Sequence, residues 1–243
     1  EKDPMAFSTF KHNMIDKEGK YAHFNWQKWL PQEATTIQKL LKKYPNQLAK
    51  LKGKVDLIAG GPPCQGFSLA GMRNSNDPRN KMSQEYIKMV GIIKPKFLLL
   101  ENVRGFNAVF KNGVGKAKKI PYSQIVKESI EKLGYKVFKN YVHSEDFGVP
   151  QQRTRFIMIG IREDLIKGNE GINPFNLLDD LREGFLKDKG LPQKSVAVKD
   201  AISDLETRRR GAKLVEHSGS PVKGFKQLDY QVPDNLTAYQ SLM

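Results

Sequence analysis

A cysteine stands at position 64, inside Ala-Gly-Gly-Pro-Pro-Cys-Gln-Gly-Phe-Ser-Leu-Ala-Gly (59–71). The two glycines before it permit close backbone approach and positive φ. Pro62 and Pro63 fix φ and stiffen the turn. The residues leading in, Val-Asp-Leu-Ile-Ala-Gly-Gly (55–61), form a short apolar run ending in glycines, the pattern of a buried strand meeting a loop. In open α/β sheets, ligands bind at the loops that follow the carboxyl ends of strands. A thiol held on a rigid loop there suits nucleophilic catalysis. The other reading is a small buried hydrophobe, the ordinary fate of a lone cysteine. Core cysteines sit within strands and helices, not after a Gly-Gly-Pro-Pro turn.

Composition narrows the chemistry. Cys64 is the only cysteine in 243 residues, so an intrachain disulfide and a multi-cysteine metal site are excluded. The histidines, at 12, 23, 143 and 217, lack the close spacing of metal ligands. Lys+Arg 41 against Asp+Glu 26 gives +15, which points to a polyanionic partner, nucleic acid first. With 39% hydrophobic and 28% charged residues the chain has the composition of a folded domain. No apolar run approaches the roughly 20 residues of a membrane span. The opening Glu-Lys-Asp-Pro carries no apolar signal core.

The elements that must position this loop are legible in the pattern. Asp3-Pro4 reads as a helix start, with Met5, Phe7, Phe10 and Met14 as its apolar set. Residues 15–35 are polar and aromatic, with Trp26 and Trp29 in a loop-like setting. A helix is expected from Thr35 to Tyr44, ending near Pro45. Another is expected over 83–93, with Tyr86, Ile87, Val90 and Ile93 on one side and Pro95 as its stop. Lys-Phe-Leu-Leu-Leu-Glu-Asn-Val (96–103) reads as a second buried strand. Gln124–Leu133 reads as a helix capped by Gly134. Residues 135–143 and 154–162 read as two further strands. Strands alternating with helices predict an α/β fold with a mostly parallel sheet flanked by helices. Residues 163–194 are charged and read as a surface insertion with a helix over 176–187. Thr-Arg-Arg-Arg-Gly-Ala-Lys (207–213) is a basic loop. The expected organisation is a core over 1–206 and a basic linker over 207–243.

Several segments, in order, carry a resemblance. They are Glu-Lys-Asp-Pro-Met-Ala-Phe-Ser-Thr-Phe-Lys-His-Asn (1–13), Gly-Gly-Pro-Pro-Cys-Gln-Gly-Phe-Ser (60–68), Asp-Pro-Arg-Asn-Lys-Met (77–82), Lys-Pro-Lys-Phe-Leu-Leu-Leu-Glu-Asn-Val-Arg-Gly-Phe (94–106) and Phe-Gly-Val-Pro-Gln-Gln-Arg-Thr-Arg-Phe-Ile-Met-Ile-Gly-Ile-Arg (147–162). The chain resembles the DNA (cytosine-5-)-methyltransferases of bacterial restriction-modification type. The resemblance covers roughly residues 1–162 and implies the Rossmann-like S-adenosylmethionine-dependent methyltransferase fold, here lacking its first strand.

The resemblance implies a role for each matched residue. Cys64 is the nucleophile that adds to carbon 6 of a flipped-out cytosine. Glu101 protonates or hydrogen-bonds ring nitrogen 3, and partial desolvation at the end of an apolar strand is expected to raise its pKa. Asn102 orients the loop backbone. Arg153 and Arg155 alternate about Thr154 on a strand, Arg155 helps hold the base and a flanking phosphate, and the positive charge favours thiolate. Gln65 and Ser68 contact the DNA backbone. Glu1 binds the ribose hydroxyls of the cofactor, and Gly61, Pro63 and Met82 line the adenosyl pocket. Residues 14–54 replace a shorter connection, and the adenine contact is left unassigned. Lys-Asn-Gly-Val-Gly-Lys-Ala-Lys-Lys (111–119) and the basic loop 207–213 are candidate phosphate contacts.

The family's glycine-rich cofactor loop is expected before Glu1, and its target recognition domain and final motifs after Met243. The chain therefore reads as a fragment or one piece of a split enzyme, weak in activity by itself. The expected partners are double-stranded DNA, a complementary polypeptide carrying the first and last motifs, and a cognate restriction endonuclease as a genetic partner. The expected location is the bacterial cytoplasm, with the nucleoid. Two other readings are an RNA cytosine methyltransferase of the same fold and a non-catalytic nucleic-acid-binding remnant. The Gly-Phe-Ser after Cys64-Gln65 favours DNA.

Overall fold

A computed structural model describes residues 1–16, 24, 26–63, 81–109, 120–169, 171–205, 214–215, 227–228, 232 and 235–243. They form two compact units, residues 1–139 with 156–172, and residues 140–155 with 173–243. These bounds differ from the division at 206/207 expected from composition.

The first unit opens on helix α1 (Pro4–Met14). Asp3 caps it by accepting the Ala6 N–H at 2.9 Å, and Pro4 occupies the first turn, where its missing N–H costs nothing. Phe7 is the buried residue of this helix. Trp26, expected in a loop, packs edge-on to Phe7 with ring centres 6.1 Å apart. Helix α2 (Ile37–Lys43) starts from Thr36, whose hydroxyl accepts the Lys39 N–H. Pro45 does not merely end it. It opens a second short helix, α3 (Pro45–Ala49), as proline at a first helical position can. Leu48 of α3 then packs with Met89 and Ile93 in a cluster that also takes in Ile37, Leu40 and Leu41.

Strand β1 (Leu57–Gly60) pairs in parallel with β2 (Phe97–Val103), in register from Leu57↔Phe97 to Gly60↔Leu100. Between them in sequence runs helix α4 (Lys81–Ile93), whose Tyr86, Met89, Val90 and Ile93 are buried. It stops at Lys94, which adopts φ 49 before Pro95. A residue ahead of proline is barred from continuing a right-handed helix, and a left-handed residue ends it. β2 alternates cleanly: Leu98, Leu100 and Asn102 are buried on one side. Full burial of each leucine is worth about 1.5–3 kcal/mol.

Helix α5 (Tyr122–Glu131) ends at Gly134, which takes φ 86 as expected of a C-terminal glycine. Strands β3 (Tyr135–His143) and β4 (Thr154–Arg162) complete a sheet of order β1-β2-β4-β3. Direction in β4 is read from its contacts. Phe156, near its start, packs on Phe106, just beyond β2, and Arg162, at its end, donates its N–H to the carbonyl of Lys96, just before β2. β4 therefore runs against β2. The sheet is parallel at β1 and β2 and turns mixed where β4 pairs with β2; a short connection joins β3 to β4, as only antiparallel strands allow.

In the second unit, helix α7 (Pro174–Asp188) is capped by Asn173, after the short α6 (Glu163–Ile166) of the first. Residues 163–194, expected as a surface insertion, bury Ile166, Phe175, Leu186 and Leu191. The second unit also holds residues 140–155 with the turn Ser144–Phe147, α8 (Val198–Ile202) and the turn Ser203–Leu205 after it, a two-stranded ladder of β5 (Leu214–Val215) with β6 (Gln227–Leu228), and α9 (Ala238–Leu242). Thr237 and Gln240 form a reciprocal cap on α9. No described helix is long and apolar enough to cross a membrane.

Candidate active site

Parallel pairing brings the carboxyl ends of β1 and β2 side by side, so the residue after Gly60 lies beside the residue after Leu100. Glu101 and Gly61 meet there. Glu101 Oε2 stands 3.2 Å from where a β-carbon on residue 61 would lie. Any side chain at 61 would press on that carboxylate. One residue on, the buried Asn102 donates from Nδ2 to the carbonyl of Pro62 at 3.1 Å. Its Oδ1 accepts the N–H of Val103 at 2.9 Å. The amide is thus bonded at both ends, which a buried polar group requires. Glu101 and Asn102 fall on opposite sides of β2, yet both address the loop entering residues 61–63.

The two glycines were expected to combine close approach with positive φ. Close approach is what the structure uses. Neither Gly60 nor Gly61 is among the positive-φ glycines. A β-carbon on Gly60 would lie 2.7 Å from ring atoms of Tyr86. Cys64, Gln65 and Ser68 lie outside the described residues, as do the basic segments 111–119 and 207–213.

Met82, half-buried in the first turn of α4, receives a hydrogen bond from Gln38 of α2 on its sulfur at 3.5 Å. Pro63 comes directly after the anchored Pro62. Glu1 is exposed, and its Oε1 accepts the N–H groups of Asp3 and Lys2 at 2.8 and 2.7 Å. Those bonds, Asp3 first, hold its carboxyl below the usual range and keep it ionised at neutral pH. The Glu1 carbonyl accepts the N–H of Thr35, and Thr35 lines a hollow of about 460 Å³ with Leu30, Pro31 and Tyr44. An ionised carboxylate acceptor fits a ribose diol, and the bare Cα of Gly61 fits a ligand that must pass close to backbone.

In the second unit, Arg153 is exposed and precedes β4. Its N–H donates to Glu145 Oε2 at 3.3 Å, and its carbonyl accepts from the Ser144 N–H and hydroxyl. Arg155 is half-buried, with Nη1 donating to the Thr154 carbonyl at 3.0 Å. The Thr154 hydroxyl between them meets His143 Nδ1 at 3.1 Å.

The turn that follows β2 is held by contacts that sequence reasoning missed. Ser123 on α5 bonds Asn107 at 2.5 Å, and the Tyr122 ring stacks edge-on to Phe106 at 5.5 Å. Burial pushes the Tyr122 phenol up, and a hydrogen bond with Ser83 of α4 partly offsets this. These residues tie α4 and α5 to the turn Arg104–Asn107 that follows β2. Their signal in the sequence was only apolar periodicity, which says core and not site.

A family model described as C-5 cytosine-specific DNA methylase matches residues 4–238. The type II methyltransferase M.DdeI of Desulfomicrobium norvegicum is 33% identical over 168 residues, which are 69% of this chain and 36% of that protein. The type II methyltransferase M.FnuDI of Fusobacterium nucleatum is 37% identical over 174 residues, 68% of this chain and 48% of that protein. The chain thus spans between about a third and a half of the length of these relatives. Among solved structures, a prophage-encoded protein of E. coli assigned as a DNA modification methyltransferase superposes with a TM-score of 0.51. It shares 22% identity, over 89% of this chain and 50% of that one, and supports the methyltransferase type of α/β fold. With the family's motifs in order and its model matched across nearly the whole sequence, the chain belongs to the C-5 cytosine-specific DNA methylase family.

Proposed function

We propose that the protein transfers a methyl group from S-adenosylmethionine to carbon 5 of cytosine in DNA, through a covalent cysteine adduct on a flipped-out base. The observation that carries this reading is the convergence on one loop. Glu101 closes on Gly61, and Asn102 holds the Pro62 carbonyl, two residues before Cys64.

Carbon 5 of cytosine is a weak nucleophile, so the chemistry must first enrich it. Cys64, as thiolate, forms a bond to carbon 6 and drives ring electrons toward carbon 5. Glu101 holds a proton at nitrogen 3, so that negative charge does not accumulate on the ring. Bound S-adenosylmethionine would supply an electrophilic sulfonium methyl group, the carbon–sulfur bond breaking and the thioether departing as carbon 5 takes the methyl. Carbon 5 then gives its proton to solvent water, and nitrogen 3 returns its proton to Glu101. The electrons of that C–H bond restore the ring double bond, and Cys64 leaves as thiolate. Arg155 helps hold the base and a flanking phosphate, and the positive charge of Arg153 and Arg155 favours thiolate. Gln65 and Ser68 hold the strand beside the extruded nucleotide. Glu1, Gly61, Pro63 and Met82 hold the cofactor.

Trapping with 5-fluorocytosine tests the reading, because fluorine at carbon 5 blocks the final elimination. Fluorinated DNA should give a covalent complex that depends on S-adenosylmethionine, and fluorinated RNA should not. Cys64→Ser should abolish both trapping and methyl transfer while leaving DNA binding largely intact, since a hydroxyl is a far weaker nucleophile at neutral pH. Substantial turnover by that variant, or trapping on RNA instead, would overturn the assignment.

A further inference from the structure

Among the described residues, Tyr86 is the one buried phenol that reaches both strands bearing the candidate site. It sits on the inner side of α4, 5% exposed. Its hydroxyl lies 3.1 Å from the carbonyl of Ile58 in β1 and 3.1 Å from that of Leu99 in β2. Its ring crosses Gly60 so closely that a β-carbon there would stand 2.7 Å from Cδ2 and Cε2. A phenylalanine would fill the same space. The hydroxyl is therefore what needs an explanation: a buried donor is costly unless bonded, and here it is spent on the two strands that lead into Gly61 and Glu101.

The position of α4 adds to this. The helix begins at Lys81, immediately after residues 64–80, so it is the exit of the segment that carries Cys64. The entry, Gly60, is pinned to the same helix by the Tyr86 ring. On β2 the same contact sits two residues before Glu101. From this geometry we infer that Tyr86, seated on Gly60, is a positioning residue that sets the register between Gly61, just past the end of β1, and Glu101. The inference rests on the proposed roles of those two groups in methyl transfer. Tyr86 touches neither substrate nor cofactor and acts only through β1 and β2.

The expected signature is a loss in the chemical step without a loss in binding. In the full-length enzyme, Tyr86→Phe keeps the ring and removes the hydroxyl. It should lower the single-turnover methyl-transfer rate about tenfold, since small misplacements of reacting groups are costly. Adduct formation on 5-fluorocytosine DNA should slow by the same factor. The dissociation constants for DNA and S-adenosylmethionine should stay within about twofold. Gly60→Ala, which displaces the ring, should slow both rates further. Rates are taken per folded site, counted by exhaustive trapping, so that partial unfolding does not pass for slow chemistry. Tyr86→Phe with an unchanged rate per site, or with its loss confined to binding, would overturn the inference. Cys64→Ser, run beside it, separates the two ideas. A dead Cys64→Ser with an unaffected Tyr86→Phe defeats the positioning role alone. An active Cys64→Ser defeats the underlying reading.

Discussion

A buried amide is costly unless both of its ends are bonded, and Asn102 meets that condition through groups only one and forty residues away. Asn102→Ala removes both bonds and strands the Pro62 carbonyl. It should cost about 1–3 kcal/mol in denaturant unfolding and slow methyl transfer with it. Glu101→Gln keeps the shape of the side chain but not its proton chemistry. It should lower the single-turnover rate more than cofactor affinity. A pure affinity loss with the rate unchanged would give Glu101 a binding role instead. At this scale the sequence is informative where the candidate site lies in contiguous residues. Gly-Gly-Pro-Pro-Cys and Glu-Asn-Val each announce themselves. The contact of Tyr86 with Gly60 does not, because it joins residues far apart in the chain and the ring hides in an ordinary apolar stripe. The use of the two glycines was half legible: the need for space could be read, but not the partner that fills it.

Elements were legible wherever periodicity and punctuation agree. Pro4 opens α1, Gly134 closes α5, and the run Leu98-Leu99-Leu100 forms β2. Pro45 was ambiguous, since proline both ends one helix and starts another, and here it does both. α7 keeps most of its residues exposed, as a surface segment does, but buries Phe175 and Leu186, an inward pair that its mixture of charged and apolar residues does not single out. Gly148 offers a test of how that region is held. It takes φ 79 at the end of the turn Ser144–Phe147, and a β-carbon there would meet Leu191 at 2.5 Å. Gly168 takes φ 85 with nothing within 4 Å. Gly168→Ala should therefore cost only backbone strain, about 1 kcal/mol, and Gly148→Ala about 1–3 kcal/mol more from overpacking. Thermal unfolding of the two variants side by side reads the difference.

For the whole molecule, a net charge of +15 predicts DNA affinity that falls steeply with salt, as the gain from releasing counterions shrinks. A flat salt profile would mean that the charge is spread over surfaces the nucleic acid does not use. Stability should also turn on alkaline pH. Tyr135 is buried and donates to the Pro95 carbonyl at 2.7 Å. Burial, partly offset by Arg162, pushes its phenol from 10.0 up to about 12. The unfolded chain then loses this proton before the folded one does. The contribution is intact below about pH 10 and is lost as pH rises from there toward about 12. Tyr135→Phe should flatten that part of the profile while lowering stability at neutral pH, as denaturant midpoints at about pH 9 and pH 11 would show. What composition could not reveal is how the chain shares itself between the two units. It passes from one to the other at 139/140, 155/156 and 172/173, so that neither unit is a single stretch of sequence. A lineage cannot trade the second unit by one crossover between genes. Exchange needs the hairpin segment 140–155 and the segment from 173 onward to travel together. Recombination should accordingly leave these two pieces with matched ancestry, and chimaeras that split them should fold worse than chimaeras that keep the pair.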